Sequence, residues 1–218
     1  LAAILPPHSE RSREITWAVN VQGTAHLVDA LAEQSPAARL VLSSSVCVYG
    51  DTRAAPPPVR VTSPLRASDV YAESKIEAER RVRAGPLDYC VLRISGVSVP
   101  AFLAPPAVWP FRADQRIEFV CREDVVEALA ACVERPVPPR QVYNVAGGPT
   151  WRMVGCEYVA RFNKVMGLPP EEAVYDEGAG YFDWYDTDEA QAALGYQRTS
   201  FERFIELLDA AIEAALSG

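Results

Sequence analysis

Histidine is nearly absent: the chain has only His8 and His26, and it contains no Cys-x-x-Cys pair. No metal site is therefore expected. Positive charge is also short, with 21 Lys and Arg against 29 Asp and Glu and a formal net charge of −8. A chain of that balance has little with which to release phosphate counterions, so neither nucleic acid nor an anionic membrane surface is expected as a partner. No apolar run approaches the roughly 20 residues that span a bilayer, and no signal peptide is visible. The five cysteines (Cys47, Cys90, Cys121, Cys132 and Cys156) are scattered and odd in number. They read as reduced, buried thiols, and the localisation expected from them is cytoplasmic. An initiator Met is lacking as well. Residues 1–5, Leu-Ala-Ala-Ile-Leu, read as the end of a buried strand, so further sequence upstream is expected.

What is present suits one substantial core, or a core with a small appendage: 218 residues, 49% of them hydrophobic. After Pro6-Pro7, Ser9 and Ser12 are candidate N-caps for a helix reaching about Gln34. Within it, Asn20-Val-Gln-Gly23-Thr24 contains two poor helix formers. A close helix–sheet contact at Gly23 is the preferred reading, and Asn20 facing a ligand is the other. Residues 39–46 form an apolar run without alternation, as in a parallel strand covered on both faces. A Pro-rich loop over 51–65 precedes a helix from about Ser68 to Arg83, closed by Gly85-Pro86. Residues 88–94 and 141–146 read as further strands and 117–121 as a short extended piece. Helices are expected over 123–134, from a Thr150 cap to Met166 with Gly167 at C′, from Thr187 to Leu194, and after Ser200. The segments 95–115 and 171–189 read as an irregular lid and an acidic, solvated surface. Alternating strands and helices imply a parallel sheet with right-handed crossovers.

One stretch carries chemistry. The strand at 39–46 ends in Ser43-Ser44-Ser45, and the carboxyl ends of strands are where open α/β sheets bind ligands. Tyr71 and Lys75 follow on a helix, four residues apart and so on one face. A free tyrosine has a pKa of about 10, and a neighbouring ammonium lowers it. Lys75 is placed to do this while Ser44 or Ser45 holds a substrate oxygen. Such a trio suits proton transfer at a carbinol, coupled to hydride transfer at the same carbon.

Taken together, Leu1-Ala-Ala, Val19-Asn20-Val-Gln-Gly23-Thr24, Ser43-Ser-Ser-Val-Cys-Val-Tyr-Gly50, Tyr71-Ala-Glu-Ser-Lys75 with Glu79, Leu92-Arg93, Phe119-Val-Cys-Arg-Glu-Asp124-Val, Tyr143-Asn-Val-Ala-Gly-Gly148 and Asp186 leading to Leu194-Gly195 span nearly the whole chain. In that order they resemble the extended short-chain dehydrogenase/reductases, the NAD-dependent epimerase/dehydratase family. The resemblance implies a Rossmann-like parallel sheet, the C-terminal portion of that fold, formed by residues 1–95 and 117–150. A substrate-binding loop (96–116) and a small C-terminal helical subdomain (151–218) would complete it. It implies Ser45 as the catalytic hydroxyl, Tyr71 as acid/base, and Lys75 as its pKa partner and a ribose ligand. NAD or NADP would lie against Ala2, Ala3, Asn20, Ser43, Ser44, Tyr71, Lys75, Ile94, Ser95 and Gly96. The partners implied are a small-molecule substrate and a second copy of the chain, docked through helices 10–34 and 68–84.

Several positions depart from the family pattern. Its N-terminal glycine-rich loop and first strands are not found, so the sequence is a fragment, is completed by another chain, or is a reduced fold. Val46-Cys47 stands where the dehydratases carry Asp-Glu, which argues against sugar dehydration. Ile117 stands where nucleotide-sugar enzymes place an Arg, with Arg116 next door, and no basic residue occurs between Glu171 and Glu189. Two functions follow: an NAD(P)-dependent epimerase or oxidoreductase acting on a secondary alcohol or ketone of a sugar or small metabolite, or a non-catalytic scaffold that has lost its dinucleotide site. A Ser/His hydrolase is disfavoured, since His26 sits in a helical pattern and no Gly-x-Ser-x-Gly occurs.

Overall fold

The computed structural model describes residues 3–178 and 180–217. Ser12, in extended conformation, accepts the Ile15 amide and starts α1 (Arg13–Trp17). The helix then widens into a π turn over Ala18–Gln22 before α2 (Gly23–Gln34), rather than running evenly to Gln34. Thr24 Oγ1 donates to the Asn20 carbonyl at 2.7 Å, satisfying a group that the widening loosens. No strand forms over residues 3–5, contrary to the sequence reading; Leu1 and Ala2 lie outside the described residues. Instead the Asn20 side-chain amide takes both backbone groups of Ile4, accepting from its nitrogen at 2.7 Å and donating to its oxygen at 3.0 Å. The helix–sheet contact anticipated at Gly23 is not found among the described residues. Apart from its own helical turn, a Cβ there would meet only the carbonyl of Ala18, at 3.7 Å, among the described residues.

Strand β1 (Arg39–Ser45) passes into a 3-10 turn at Val46–Tyr49, where the Ser45 hydroxyl accepts the Cys47 amide at 3.3 Å. Helix α3 (Val70–Ala84) is capped by Asp69, which accepts the Ala72 amide at 2.7 Å. Glu10 accepts the next two orphan amides, Val70 and Tyr71. The inward face of α3 carries Tyr71, Ala72, Ser74, Lys75, Ala78, Glu79 and Val82. Strand β2 (Asp88–Ile94) follows, then β3 (Val97–Ser98), β4 (Arg116–Glu118), β5 (Val120–Cys121), α4 (Arg122–Glu134) and β6 (Gln141–Val145). The main sheet is parallel with order β1-β2-β6, and Ser43 pairs with Leu92 and Ser45 with Ile94.

Beyond β6, the helix expected from Thr150 begins later. Residues Pro149–Trp151 make a 3-10 turn and β7 (Arg152–Val154) pairs antiparallel with β4 before α5 (Gly155–Met166) starts. Tertiary contacts claim these residues first. Trp151 is buried and donates to the Thr199 carbonyl, and Arg152 binds the buried Glu118 at 2.9 Å. Gly167 adopts the left-handed conformation anticipated at the end of α5 (φ 67°). Helices α6 (Asp188–Leu194) and α7 (Phe201–Ser217) complete the chain.

Among the described residues, three large apolar clusters hold the layers together, beside a small one of Cys47, Tyr71 and Ala72. Val28 of α2 and Val82 of α3 meet Leu40, Tyr89 and Val91 on one face of the sheet. On the other, α4 meets Leu92, Tyr143 and Val145, joined by Ala190 and Leu194, so α6 packs with the sheet. Beyond the carboxyl ends of the strands lies an aromatic cluster of Tyr49, Phe111, Phe119, Trp151, Tyr185 and Phe204 with α5 and α7. Cys47, Cys90, Cys121 and Cys132 are buried as anticipated, whereas Cys156 is exposed.

Candidate functional site

The pleat of β1 sorts its terminal serines. Ser44 turns toward α3, where its hydroxyl donates to Glu79 Oε1 at 2.6 Å, so it is committed to the interior. Ser43 and Ser45 turn the other way. Lys75, one helical turn after Tyr71, donates from Nζ to the Ser43 carbonyl at 2.8 Å. The Ser43 hydroxyl is buried with no partner among the described residues. The Ser45 hydroxyl accepts the Cys47 amide and lines the same cavity as the Tyr71 phenol.

These groups share a cavity of about 520 Å3 at the carboxyl end of β1. Of the anticipated cofactor contacts, Ala3, Asn20, Ser43, Ser44, Tyr71, Lys75, Ile94 and Ser95 line it. Gly96 does not; a Cβ there would lie 2.6 Å from the Phe119 ring, so this glycine serves packing. Ala2 lies outside the described residues. Besides Ser44 and Lys75, two more lining side chains are already engaged: Ser95 Oγ donates to the Glu118 carbonyl at 2.6 Å, and Asn20 holds Ile4 and donates to Ser74 Oγ at 2.9 Å.

The electrostatics differ from the sequence expectation. Burial raises the Tyr71 pKa well above that of free tyrosine, reinforced by Cys47, Tyr181 and Asp69, while Ser45 opposes. Lys75 does not offset this. Its own pKa is lowered by burial, and its ammonium binds Ser43 O, 5.7 Å from the centroid of the Tyr71 ring. Tyr71 therefore keeps its proton at neutral pH and is arranged as a donor. Cys47 and Tyr181, both pushed up to about 12 chiefly by burial, stay neutral beside it.

Beneath the serines runs a buried polar network that positions them. Glu79 and Arg93, 1% and 2% exposed, pair at 2.7 Å. Arg93 also donates to Tyr49 Oη and the Val61 carbonyl, both at 2.9 Å. Tyr49 in turn donates to Asn144 Oδ1 at 2.6 Å. Glu79 is legible in the sequence, one turn beyond Lys75 on the same helical face. Glu10, Cys47 and Tyr181 are not, because they reach Tyr71 from segments whose spacing carries no signal.

The 171–189 segment is less solvated than its composition indicates. Asp183 is 1% exposed and grips Arg116 through both oxygens, at 2.6 and 3.0 Å. Arg116 Nη2 also donates to the Ala55 carbonyl, and Arg112 pairs with Asp114 and Glu177. No group of three or more metal-ligating side chains occurs among the described residues, and no helix there is long and apolar enough to cross a membrane.

The model of the NAD dependent epimerase/dehydratase family matches residues 1–106. No curated protein matches the chain. Among solved structures, a short-chain dehydrogenase/reductase superfamily protein from Agrobacterium tumefaciens with bound NAD is 19% identical, with a TM-score of 0.79 over 100% of this chain and 79% of that one. UDP-glucose 4-epimerase from Thermotoga maritima, with UDP-glucose, is 20% identical, with a TM-score of 0.78 over 95% of this chain and 74% of that one. RMD from Pseudomonas aeruginosa, complexed with NADPH, is 17% identical, with a TM-score of 0.81 over 99% of this chain and 80% of that one. At these identities the likeness is one of fold.

Proposed function

We propose, from the match of residues 1–106 to the model of the NAD dependent epimerase/dehydratase family, that the protein is an NAD(P)-dependent oxidoreductase or epimerase acting on a secondary alcohol or ketone. The observation that carries this reading is the convergence of Tyr71, Lys75 and Ser43–Ser45 on one cavity at the carboxyl end of a parallel strand.

The cavity suits the nicotinamide–ribose half of a dinucleotide. Lys75 sends one of its three N–H bonds to Ser43 O, and the partnerless Ser43 hydroxyl lines the same wall. Lys75 and Ser43 would hold a ribose there, with Asn20 keeping the rim closed at Ile4. When bound, the nicotinamide supplies or accepts the hydride. The chain's own part is proton transfer. Ser45 orients a substrate oxygen, and Tyr71, protonated at rest, delivers its proton to that oxygen as the carbonyl carbon is reduced. In the reverse direction the Tyr71 phenolate takes the carbinol proton back.

Residues 1–95 and 117–150 would then form the cofactor layer, with α6 added to it, and 96–116 and 151–218 the substrate side. Arg112 and Arg116 are tied to carboxylates, which favours an uncharged sugar or small metabolite over a nucleotide-linked one. A homodimer through helices 10–34 and 68–84 is consistent with Ile15 and Leu27 being half or more exposed. Calorimetric titration of the 218-residue chain with NAD and NADP tests the core of the reading. Binding is expected for at least one of them, weakened about tenfold or more by Lys75→Met. In the protein that binds cofactor, Tyr71→Phe is expected to lower turnover by about 10²–10⁴. Undiminished turnover in that variant would refute the role of Tyr71.

A further inference from the structure

Away from this cavity, two cysteines distant in sequence meet in the interior. Cys90, in β2 between Val41 and Gln141 of the flanking strands, faces Cys132 in the last turn of α4. Their sulfurs are 3.4 Å apart, and both residues are essentially inaccessible. Beside them lies a hollow of about 330 Å3 walled by Ala37, Arg39, Val41, Asp88, Cys132 and Val133. Arg39 is fixed there by Asp88 at 2.6 Å and by the Val137 carbonyl at 2.7 Å, with Nη1 3.5 Å from the Cys132 carbonyl. Cys132, 1% exposed, is thus the cysteine of that wall, and it lies next to a guanidinium.

We propose that Cys90 and Cys132 are a redox-active dithiol, oxidised to a disulfide by a small hydroperoxide that enters the Arg39 hollow. The roles of the two sulfurs follow from their surroundings. Cys132 forms part of the wall of the hollow beside the Arg39 guanidinium, whereas Cys90 does not, and a neighbouring cation favours a thiolate. The other two buried thiols, Cys47 and Cys121, are both pushed up to about 12 by burial and are poor nucleophiles. Cys132 is thus the attacking sulfur and Cys90 the resolving one.

In the first step the Cys132 thiolate attacks the hydroperoxide; the O–O bond breaks, the alcohol or water leaves, and Cys132 becomes a sulfenic acid. In the second, Cys90 attacks that sulfur; the S–S bond forms, the S–O bond breaks, and water leaves with the Cys90 proton. Two thiols are oxidised and one hydroperoxide is reduced. The sulfurs close from 3.4 Å to the about 2.05 Å of a disulfide. The bond would tie α4 to the central strand of the sheet.

The test is hydrogen peroxide treatment of the full chain, followed by thiol counting in denaturant and peptide mapping. The count is expected to fall from five to three, with a dithiothreitol-sensitive link between the Cys90 and Cys132 peptides. Cys156, the exposed thiol, is expected to stay reduced at the same dose. Cys132→Ser should abolish the link and leave Cys90 reduced. Titration of the native wild-type chain with phenylarsine oxide needs no variant: one equivalent should bind the dithiol and block later disulfide formation. Oxidation confined to Cys156, or failure of the arsenical to protect Cys90 and Cys132, would overturn the proposal.

Discussion

Replacing Glu79 with Leu separates a buried charge from its partner. Glu79 accepts from Ser44 Oγ at 2.6 Å and from Arg93 Nε and Nη2 at 3.1 and 2.7 Å, and both members of the pair are almost fully enclosed. With the carboxylate gone, Arg93 keeps its charge in the interior, and that costs about 3–5 kcal/mol. The Ser44 hydroxyl loses its acceptor, adding about 1 kcal/mol. Against a total stability of about 5–15 kcal/mol this is a large fraction. Arg93→Met should cost a similar amount, since it strands Glu79 and removes donors from Tyr49 and the Val61 carbonyl. The double variant removes both charges at once. The orphaned Ser44 hydroxyl and Val61 carbonyl remain, with Tyr49 Oη short of one donor, at about 1–3 kcal/mol together. The two single losses should therefore exceed the double loss by several kcal/mol. Urea unfolding of the four proteins, with linear extrapolation, measures this directly. Additivity within about 0.5 kcal/mol, or a single loss below about 1 kcal/mol, would refute the assignment of this pair as the brace beneath the serines.

Other outcomes test separate parts of the structure. Burial moves the Cys47 thiol from 9.0 to about 12, which favours its protonated form. Below pH 9 its thiolate fraction should be about a thousandfold lower than that of a free thiol, rising tenfold per pH unit. Iodoacetamide at pH 8 should therefore label Cys156 long before Cys47, and labelling of Cys47 at a comparable native rate would contradict its burial. Gly50 has φ 62°, and a Cβ there would lie 2.1 Å from the Arg66 carbonyl, so Gly50→Ala should cost about 2–4 kcal/mol in urea unfolding. A loss below 1 kcal/mol would argue against that backbone. Asn20→Ala removes three hydrogen bonds and should cost about 2–4 kcal/mol. Hydrogen exchange at the Ile4 amide should accelerate in the same variant; unchanged protection would mean that something other than Asn20 holds residues 3–5.

The pattern that placed Tyr71 and Lys75 together is local. Helical periodicity puts residues four apart on one face, and an uninterrupted apolar run makes a buried parallel strand, so the sheet, its crossovers and the serine-tipped β1 were readable from spacing alone. The Thr150 helix start was misjudged because a capping preference worth about 1 kcal/mol yields to the burial of Trp151 and the Arg152–Glu118 pair. The acidic run at 171–189 misled for a similar reason: composition counts charges, and the enclosure of Asp183 by Arg116 depends on a segment some 67 residues away.

By itself the sequence determined the α/β alternation, the helix face bearing Tyr71, Lys75 and Glu79, and the hydroxyls at the end of β1, because each is set by the geometry of neighbouring residues in one element. Tertiary structure alone decided that Ser44 serves Glu79, that Lys75 binds Ser43 rather than charging the Tyr71 phenol, that Tyr71 keeps its proton, and that Cys90 meets Cys132. Those outcomes depend on desolvation and on which partners arrive from distant segments, and both are sums over the packed interior that no single stretch of chain contains.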